Sequence, residues 1–316
     1  FVSARLGNYD LTRFEGMINA PLTDDFFMRA NIYTNERDGY IQNVSPGGDD
    51  VGAEDNQAAR IAFLWNITDA TNLQISYDYD KVDNAPRGSV GIGEFAYSDD
   101  PFSGKMENDV IKGRETRDMY AVTAKLNHEF NDNFSMKYIA SYRDWDTHNR
   151  EDEDGTGNIT TYLDVDTAYD ADIFYNEVQF HFVNETFDWI SGASYSSEHV
   201  QQRLETTLLT DSEARFVTNG LNQTLGSDYD YYWDPAEFAD ALNTYVGQNV
   251  TAQDVAAANG TPADYYDLVS ALLGDTAIFG PVPWAGELWQ ERIDNDGDLY
   301  NWGVFTDVDV TITDSF

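Results

Sequence analysis

Apolar and polar residues alternate along most of this chain. In 13–20, Phe14, Gly16, Ile18 and Ala20 occupy one phase and Arg13, Glu15, Met17 and Asn19 the other. Phe26, Met28, Ala30 and Ile32 likewise oppose Phe27, Arg29, Asn31 and Tyr33. The pattern returns at Ile61, Phe63, Trp65 and Ile67, and again at Leu73, Ile75, Tyr77 and Tyr79. It recurs at Tyr120, Val122, Ala124 and Leu126, at Phe134, Met136, Tyr138, Ala140 and Tyr142, and at Val178, Phe180 and Phe182. It closes with Tyr300, Trp302, Val304, Val308, Val310 and Ile312, which oppose Asn301, Asp307 and Asp309. The run from Trp189 towards Gln201 fits either phase. A period of two marks strands with one apolar and one polar face. With Phe1–Leu6 included, the pattern predicts about ten strands joined as successive hairpins.

The connections come in two kinds. One is a short turn of recurring chemistry: Leu22-Thr23-Asp24-Asp25-Phe26, Ile67-Thr68-Asp69-Ala70-Thr71-Asn72, Phe130-Asn131-Asp132-Asn133-Phe134, Val183-Asn184-Glu185-Thr186-Phe187 and Ile312-Thr313-Asp314-Ser315-Phe316. The other is long, polar and irregular, at 41–57, 84–116, 144–172 and 202–297. Short turns at one end and long loops at the other is the asymmetry of an outer-membrane barrel, whose strands cross with only about 9–11 residues. A soluble sandwich shares the alternation, but long strand runs and aromatics near strand ends favour the barrel. The expected fold is therefore all-β: a partial antiparallel transmembrane β-barrel of about ten strands, with long extracellular loops and a partly helical loop insertion. Residues 1–201 are barrel strands with extracellular loops, 202–297 a large extracellular insertion, and 298–316 a barrel strand and periplasmic turn. Helix signals inside the insertion are Asp234-Pro235, Thr251-Ala252-Gln253-Asp254 and Thr261-Pro262-Ala263-Asp264, the last running to Leu273 and stopping at Gly274. The chain opens inside a strand-like run and ends just after a turn, which suggests a segment of a longer protein.

Composition narrows the partners. The 316 residues hold 18 Lys and Arg against 57 Asp and Glu, a formal charge of −39. That argues against nucleic acid and against a polybasic dock on anionic lipid. It suits solvated loops, a salty habitat, divalent cations or cationic ligands. With no cysteine there is neither disulfide nor thiolate metal site.

At this point the residues resemble a known family. Gly7-Asn8-Tyr9-Asp10, Arg13, Gly16, Asn19, Pro21-Leu22, Met28-Arg29-Ala30, Arg37-Asp38-Gly39-Tyr40 and Asn43 resemble the early barrel of TonB-dependent receptors. Asn176-Glu177-Val178-Gln179-Phe180 and Asp188-Trp189-Ile190-Ser191-Gly192 resemble that family's mid-barrel strands, as does Val304-Phe305-Thr306-Asp307-Val308 running to Phe316. Each motif is soft; their order and spacing carry the likeness, which weakens in 202–297. The resemblance implies a 22-stranded barrel in the bacterial outer membrane, with a plug in its lumen. It implies energised uptake of a scarce nutrient (a siderophore, cobalamin or an oligosaccharide), with no covalent chemistry. The implied partners are outer-membrane lipid and lipopolysaccharide, a small-molecule or glycan ligand, and the TonB complex through a plug this stretch does not include.

Ligand contacts are expected from the long loops and the lumen. Tyr229, Tyr231, Tyr232, Trp233, Trp284 and Trp289 could stack on sugar rings or hold a cation, or form the small core of the insertion. Arg29, Arg143, Glu177 and Gln179 belong to the polar phase and are expected in the lumen wall, hydrated or packed against a plug. Asp294-Asn295-Asp296-Gly297-Asp298 resembles the start of a calcium loop, but Phe305 stands where the bidentate Glu belongs, so a solvated turn competes with a metal site. Glu151-Asp152-Glu153-Asp154-Gly155 has the same two readings. Gly91-Ile92-Gly93-Glu94-Phe95-Ala96 matches a dinucleotide fingerprint on paper but lacks the following helix. Two rivals to a receptor remain: a passive outer-membrane porin, and a surface β-protein for adhesion or assembly.

Overall fold

The computed structural model describes residues 1–209 and 288–312, with a few isolated positions between. Its strands are β1 (Val2–Leu6), β2 (Thr12–Pro21), β3 (Phe26–Arg37), β4 (Gln42–Asn43), β5 (Glu54–Thr68) and β6 (Thr71–Asn84). They continue with β7 (Lys105–Met106), β8 (Arg114–Asn131), β9 (Phe134–Asp152), β10 (Leu163–Val183), β11 (Phe187–Leu209) and β12 (Leu288–Val310). Ten of them form one antiparallel sheet in the order β1-β2-β3-β5-β6-β8-β9-β10-β11-β12, and β4 pairs with β7 in the loops. The sheet is thus a hairpin meander, open at β1 and β12.

Strand pairing assigns the two faces. Ile18, Ala30, Ile61, Tyr77, Val122, Tyr142, Phe174, Ser197 and Tyr300 lie opposite one another across nine strands. One residue away, Asn19, Arg29, Ala62, Ser76, Thr123, Ser141, Tyr175, Ser196 and Asn301 form the matching row on the other face. The first face is an apolar belt bare of protein cover: Ile18 is 56% exposed and Trp302 81%. Such a patch is far larger than a monomer leaves in water, and it suits hydrocarbon. Aromatic rings edge the belt below, where Phe130 stacks on Phe134 at 5.0 Å and Phe134 on Phe180 at 6.0 Å. Tyr79 and Tyr120 edge it above. In β11 the ambiguity of phase resolves: Trp189 pairs with Phe182 and Val308, so Trp189, Ala193 and Tyr195 share the apolar face.

Several boundaries differ from expectation. β10 has 21 residues, and β11 and β12 have 23 each, about twice what a membrane crossing needs. Residues 144–152 and 163–172, expected as loop, are strand, and so are 202–209 and 288–297 at the two ends of the expected insertion. Above the belt both faces meet water, so the apolar–polar alternation fades while the hydrogen-bond ladder continues. Asp294, Asp296 and Asp298 therefore lie in β12, not in a turn. The division of loop lengths is also not strict. The β1–β2 connection, 7–11, sits at the long-loop end yet is short, and it turns through Tyr9 and Asp10 at φ 59° and 50°. The 85–104 stretch contains no helix, in line with rejection of the dinucleotide fingerprint. Of the helices expected around Asp234, Thr251 and Thr261, Asp240, Asn243 and Thr244 are described and are helical, Thr251 is described and is not, and the remainder falls outside the described residues.

An open sheet has no interior of its own, and a small apolar core lies in the outer loops. Met106 is 1% exposed, Val51 3% and Val110 5%. Around them 38–53, 85–113 and 153–162 form a common layer. Gln42 N–H donates to Gly104 O at 2.9 Å and Val44 N–H to Met106 O at 2.9 Å. Asn43 and Asn108 bond reciprocally: Nδ2 of Asn43 donates to Asn108 O, and Oδ1 of Asn43 accepts from Asn108 N–H, both at 3.0 Å. Gly104 leads into β7 at φ 76° with open space around a would-be Cβ. Gly104→Ala is therefore expected to cost the loop layer only the left-handed backbone penalty, about 1–2 kcal/mol, read as lower hydrogen-exchange protection of 42–44 and 105–108 with the barrel's melting unchanged.

Candidate functional site

The polar face gathers cations in a chain poor in them. Of its 18 Lys and Arg, nine lie on this face: Arg5, Arg13, Arg29, Arg37, Arg60, Arg117, Lys125, Lys137 and Arg143. Several are held by neighbours one strand away. Arg37 pairs with Glu54 at 2.7 Å, Arg117 with Asp80 at 2.6 Å and Arg60 with Asp78 at 3.4 Å. Arg13 donates to Asn35 at 3.0 Å, Asn35 to Glu54 at 2.7 Å, and the Arg13 guanidinium lies 5.7 Å from the Tyr33 ring centre. Arg143, Lys125 and Lys137 make no ion pair among the described residues. Near Arg143, the rings of Trp145 and Tyr169 stack at 6.4 Å and 18°, and Gln202 donates to the Tyr169 hydroxyl at 2.7 Å.

All four residues expected in the lumen wall lie on this face, but not together. Arg29 in β3 bonds Asn19 at 2.6 Å and lines a cavity of about 460 Å³ with Pro21, Phe27, Leu64 and Gln74. Arg143 is four strands away in β9. Glu177 and Gln179 do form one cluster, in which Tyr175 Oη and Gln179 Nε2 both donate to the Glu177 carboxylate. Trp289 lies high on the same face of β12, opposite Leu208 and half-buried. Tyr229, Tyr231, Tyr232, Trp233 and Trp284 lie outside the described residues. Arg13, Arg60 and Arg117 were not singled out, although their polar phase could have marked the first two. Trp145 and Tyr169 sat in a stretch expected to be loop.

The acidic run of β12 stands on the opposite, outward face. Asp294 is bonded by Arg292 at 2.7 Å and lies 3.5 Å from Arg203; Asp296 accepts from Gln201 at 3.2 Å, and Asp298 meets His199 at 3.0 Å. An extended backbone holds alternate residues about 6.6 Å apart in a line, so these carboxylates do not wrap one ion. Among the described residues no group of three or more His, Asp or Glu could hold a metal. The Glu151–Gly155 run instead closes a turn. Asp152 Oδ1 accepts from the N–H groups of Asp154 and Gly155, both at 3.0 Å, and Asp154 accepts from Thr156 N–H at 2.7 Å and Leu163 N–H at 3.1 Å.

Comparison with known proteins places the fold. No protein-family model matches the chain, and no curated protein matches it. Solved structures do. The siderophore receptor PiuA from Acinetobacter baumannii superposes with a TM-score of 0.57 at 14% identity, over 98% of this chain and 40% of PiuA. The ferric yersiniabactin uptake receptor FyuA from Yersinia pestis gives 0.55 at 12% identity, over 66% of this chain and 32% of FyuA. The ferripyoverdine receptor of the Pseudomonas aeruginosa outer membrane gives 0.51 at 15% identity, over 64% of this chain and 28% of that one. The sheet thus shares the antiparallel barrel-strand fold of these proteins, and the chain spans 28% to 40% of their lengths.

Proposed function

We propose that this chain is a barrel segment of a TonB-dependent outer-membrane receptor that takes up a scarce nutrient, a siderophore, cobalamin or an oligosaccharide. The observation that carries the reading is the division of the sheet. A wide apolar belt faces one way, while half of the chain's cations and the Trp145–Tyr169 stack face the other. The belt supports a bilayer setting for the strands, in which the short turns would face the periplasm. The inner face, where Arg143 makes no ion pair among the described residues, suits a ligand carrying both flat or ring surfaces and negative charge. Among the three cargoes this favours a chelate such as a ferric siderophore, although the acidic outer loops disfavour one of high negative charge. The fold likeness to three siderophore receptors supports the same choice. The catalytic role is none: capture and release are binding steps, and the energy comes from a partner at the inner membrane through a plug.

The test uses the full-length protein in its own cells. Uptake of radiolabelled ferric siderophores, cobalamin and oligosaccharides is followed with and without the gene, and with and without a protonophore. Accumulation of one ligand that needs both the gene and an energised membrane is the expected result. Gene-dependent entry that survives the protonophore would establish a passive porin instead, and no gene-dependent uptake at all would leave the adhesion or assembly reading.

A further inference from the structure

The outer loop layer contains a buried acidic pair that has no role in ligand uptake as proposed above. Asp152, at the top of β9, is 1% exposed; its Oδ1 holds the turn, but its Oδ2 is buried with no hydrogen-bond partner among the described residues. Asp109, in the 85–113 loop, likewise buries its Oδ1 without a partner. The two loops that carry them are tied by few bonds. Gly157 N–H donates to Glu107 Oε2 at 3.2 Å and Gly91 N–H to Gly155 O at 2.9 Å. Gly155 stands at φ 67° with no room for a Cβ against Ser89 and Gly91. A carboxylate oxygen buried without a donor is costly when ionised and cheap when it carries a proton. We infer that Asp109 and Asp152 form a proton-operated latch that holds the 85–113 and 153–162 loops together in acid and loosens them as the pH rises.

The charges around the pair push the same way. Glu107 and Asp109 come from one loop, Asp154 from the other and Asp164 from β10, all acidic; Arg150 of β9 is committed to Asp164, whose Oδ2 also accepts from Tyr162 Oη at 3.3 Å. Burial first, and then Asp154, raise the Asp109 carboxyl from 3.8 to about 6. Burial, with Asp154 and Asp109 adding to it, raises Asp152 from 3.8 to about 7, against the opposing Gly155 N–H bond. With folded values above the unfolded one, the closed layer binds more protons than the open one. The stabilisation is complete below about pH 4 and is lost as the pH rises through about 6 to 7.

The experiment is hydrogen exchange on the full-length protein in outer-membrane vesicles at pH 5 and pH 8, each rate referred to its intrinsic value. Protection of peptides covering 105–113 and 152–157 is expected to fall by at least about tenfold from pH 5 to pH 8, since protons are released on opening. Peptides within the belt of β9 and β10 should not change. Asp152→Asn, and separately Asp109→Asn, should each recover part of the acid-side protection at pH 8, and the double variant should hold it near its acid value. Equal protection of the loops at both pH values in the parent protein would overturn the latch. So would an undiminished pH dependence in the double variant Asp109→Asn/Asp152→Asn. Belt peptides serve as the folding control, so a variant that fails to insert is recognised by their exchange.

Discussion

Ile75→Arg is expected to destabilise the folded barrel by about 2–4 kcal/mol, the cost of an arginine near the bilayer midplane on a lipid-facing strand position. Gln74→Arg, one residue earlier on the same strand, is expected to change it by less than about 0.5 kcal/mol, as surface substitutions do. Ile75 lies between Phe63 and Ala124 in the apolar belt and is 42% exposed with no protein beyond it. Gln74 lies between Leu64 and Lys125 on the polar face. The guanidinium of the first variant must leave water for hydrocarbon or bend the strand towards the interface; that of the second enters a face already carrying nine cations and their carboxylate partners. The measurement is the denaturant midpoint of the heat-modifiable band of the full-length protein in lipid vesicles. Equal shifts for the two variants would mean that both faces meet water. The belt would then be a docking surface of a soluble sheet, and the receptor reading would fall with it.

The alternation that marks Ile75 was readable because one face of the sheet is a continuous apolar belt. Most belt residues obey that contrast, from Ile18 through Val122 to Trp302, with Ser197 an exception, and outside β11 the strand pairing agrees with the phase read from sequence. The same physics explains what was missed. In β9, 144–152 reads Asp-Trp-Asp-Thr-His-Asn-Arg-Glu-Asp, polar in both phases, because this part of the strand stands in water on both sides. Its ladder to β10 is nonetheless continuous from Phe134 to Asp152. Backbone pairing leaves no compositional trace where neither face is apolar. Trp145 and Tyr169 were lost with that stretch, and they are the aromatic half of the candidate site. The cationic half was legible at Arg29 and Arg143, since a charge in the polar phase of a barrel strand has only the lumen to face. Which carboxylate each arginine meets depends on register between strands, as with Arg117 and Asp80, and no local pattern encodes that. The acidic runs misled for a related reason. Asp at alternate positions is what a calcium loop and an extended, two-sided wet strand have in common, and only the backbone separates them.

Arg150→Ala is the second large effect, and it is expected to act on the loops alone. Arg150 points outward from the top of β9 and grips Asp164 with two nitrogens, its Nε 3.0 and 3.1 Å from the two carboxylate oxygens. Asp164 is 3% exposed, whereas the arginine side chain remains a third exposed. The hydrogen bond to Asp164 raises the Arg150 guanidinium further above its ordinary value, as a committed partner should. Removing the arginine strands a buried carboxylate whose remaining side-chain donor is the Tyr162 hydroxyl. Breaking a fully buried pair costs about 3–5 kcal/mol, and solvent reaching Arg150 lowers this to about 2–3 kcal/mol. Opening of 153–162 would then become about 30- to 150-fold more frequent, at tenfold per 1.4 kcal/mol, and nicking by proteinase K of intact cells should rise in proportion. Arg150→Lys keeps the charge without the two-pronged grip and should fall between. The barrel's denaturation midpoint should stay put in both variants, because the pair sits at the far outer end of the β9–β10 ladder, away from the belt. Parent-like nicking in Arg150→Ala would mean that Asp164 is already neutral or hydrated, and that the outer layer is held by its Met106–Val51–Val110 core rather than by its charges.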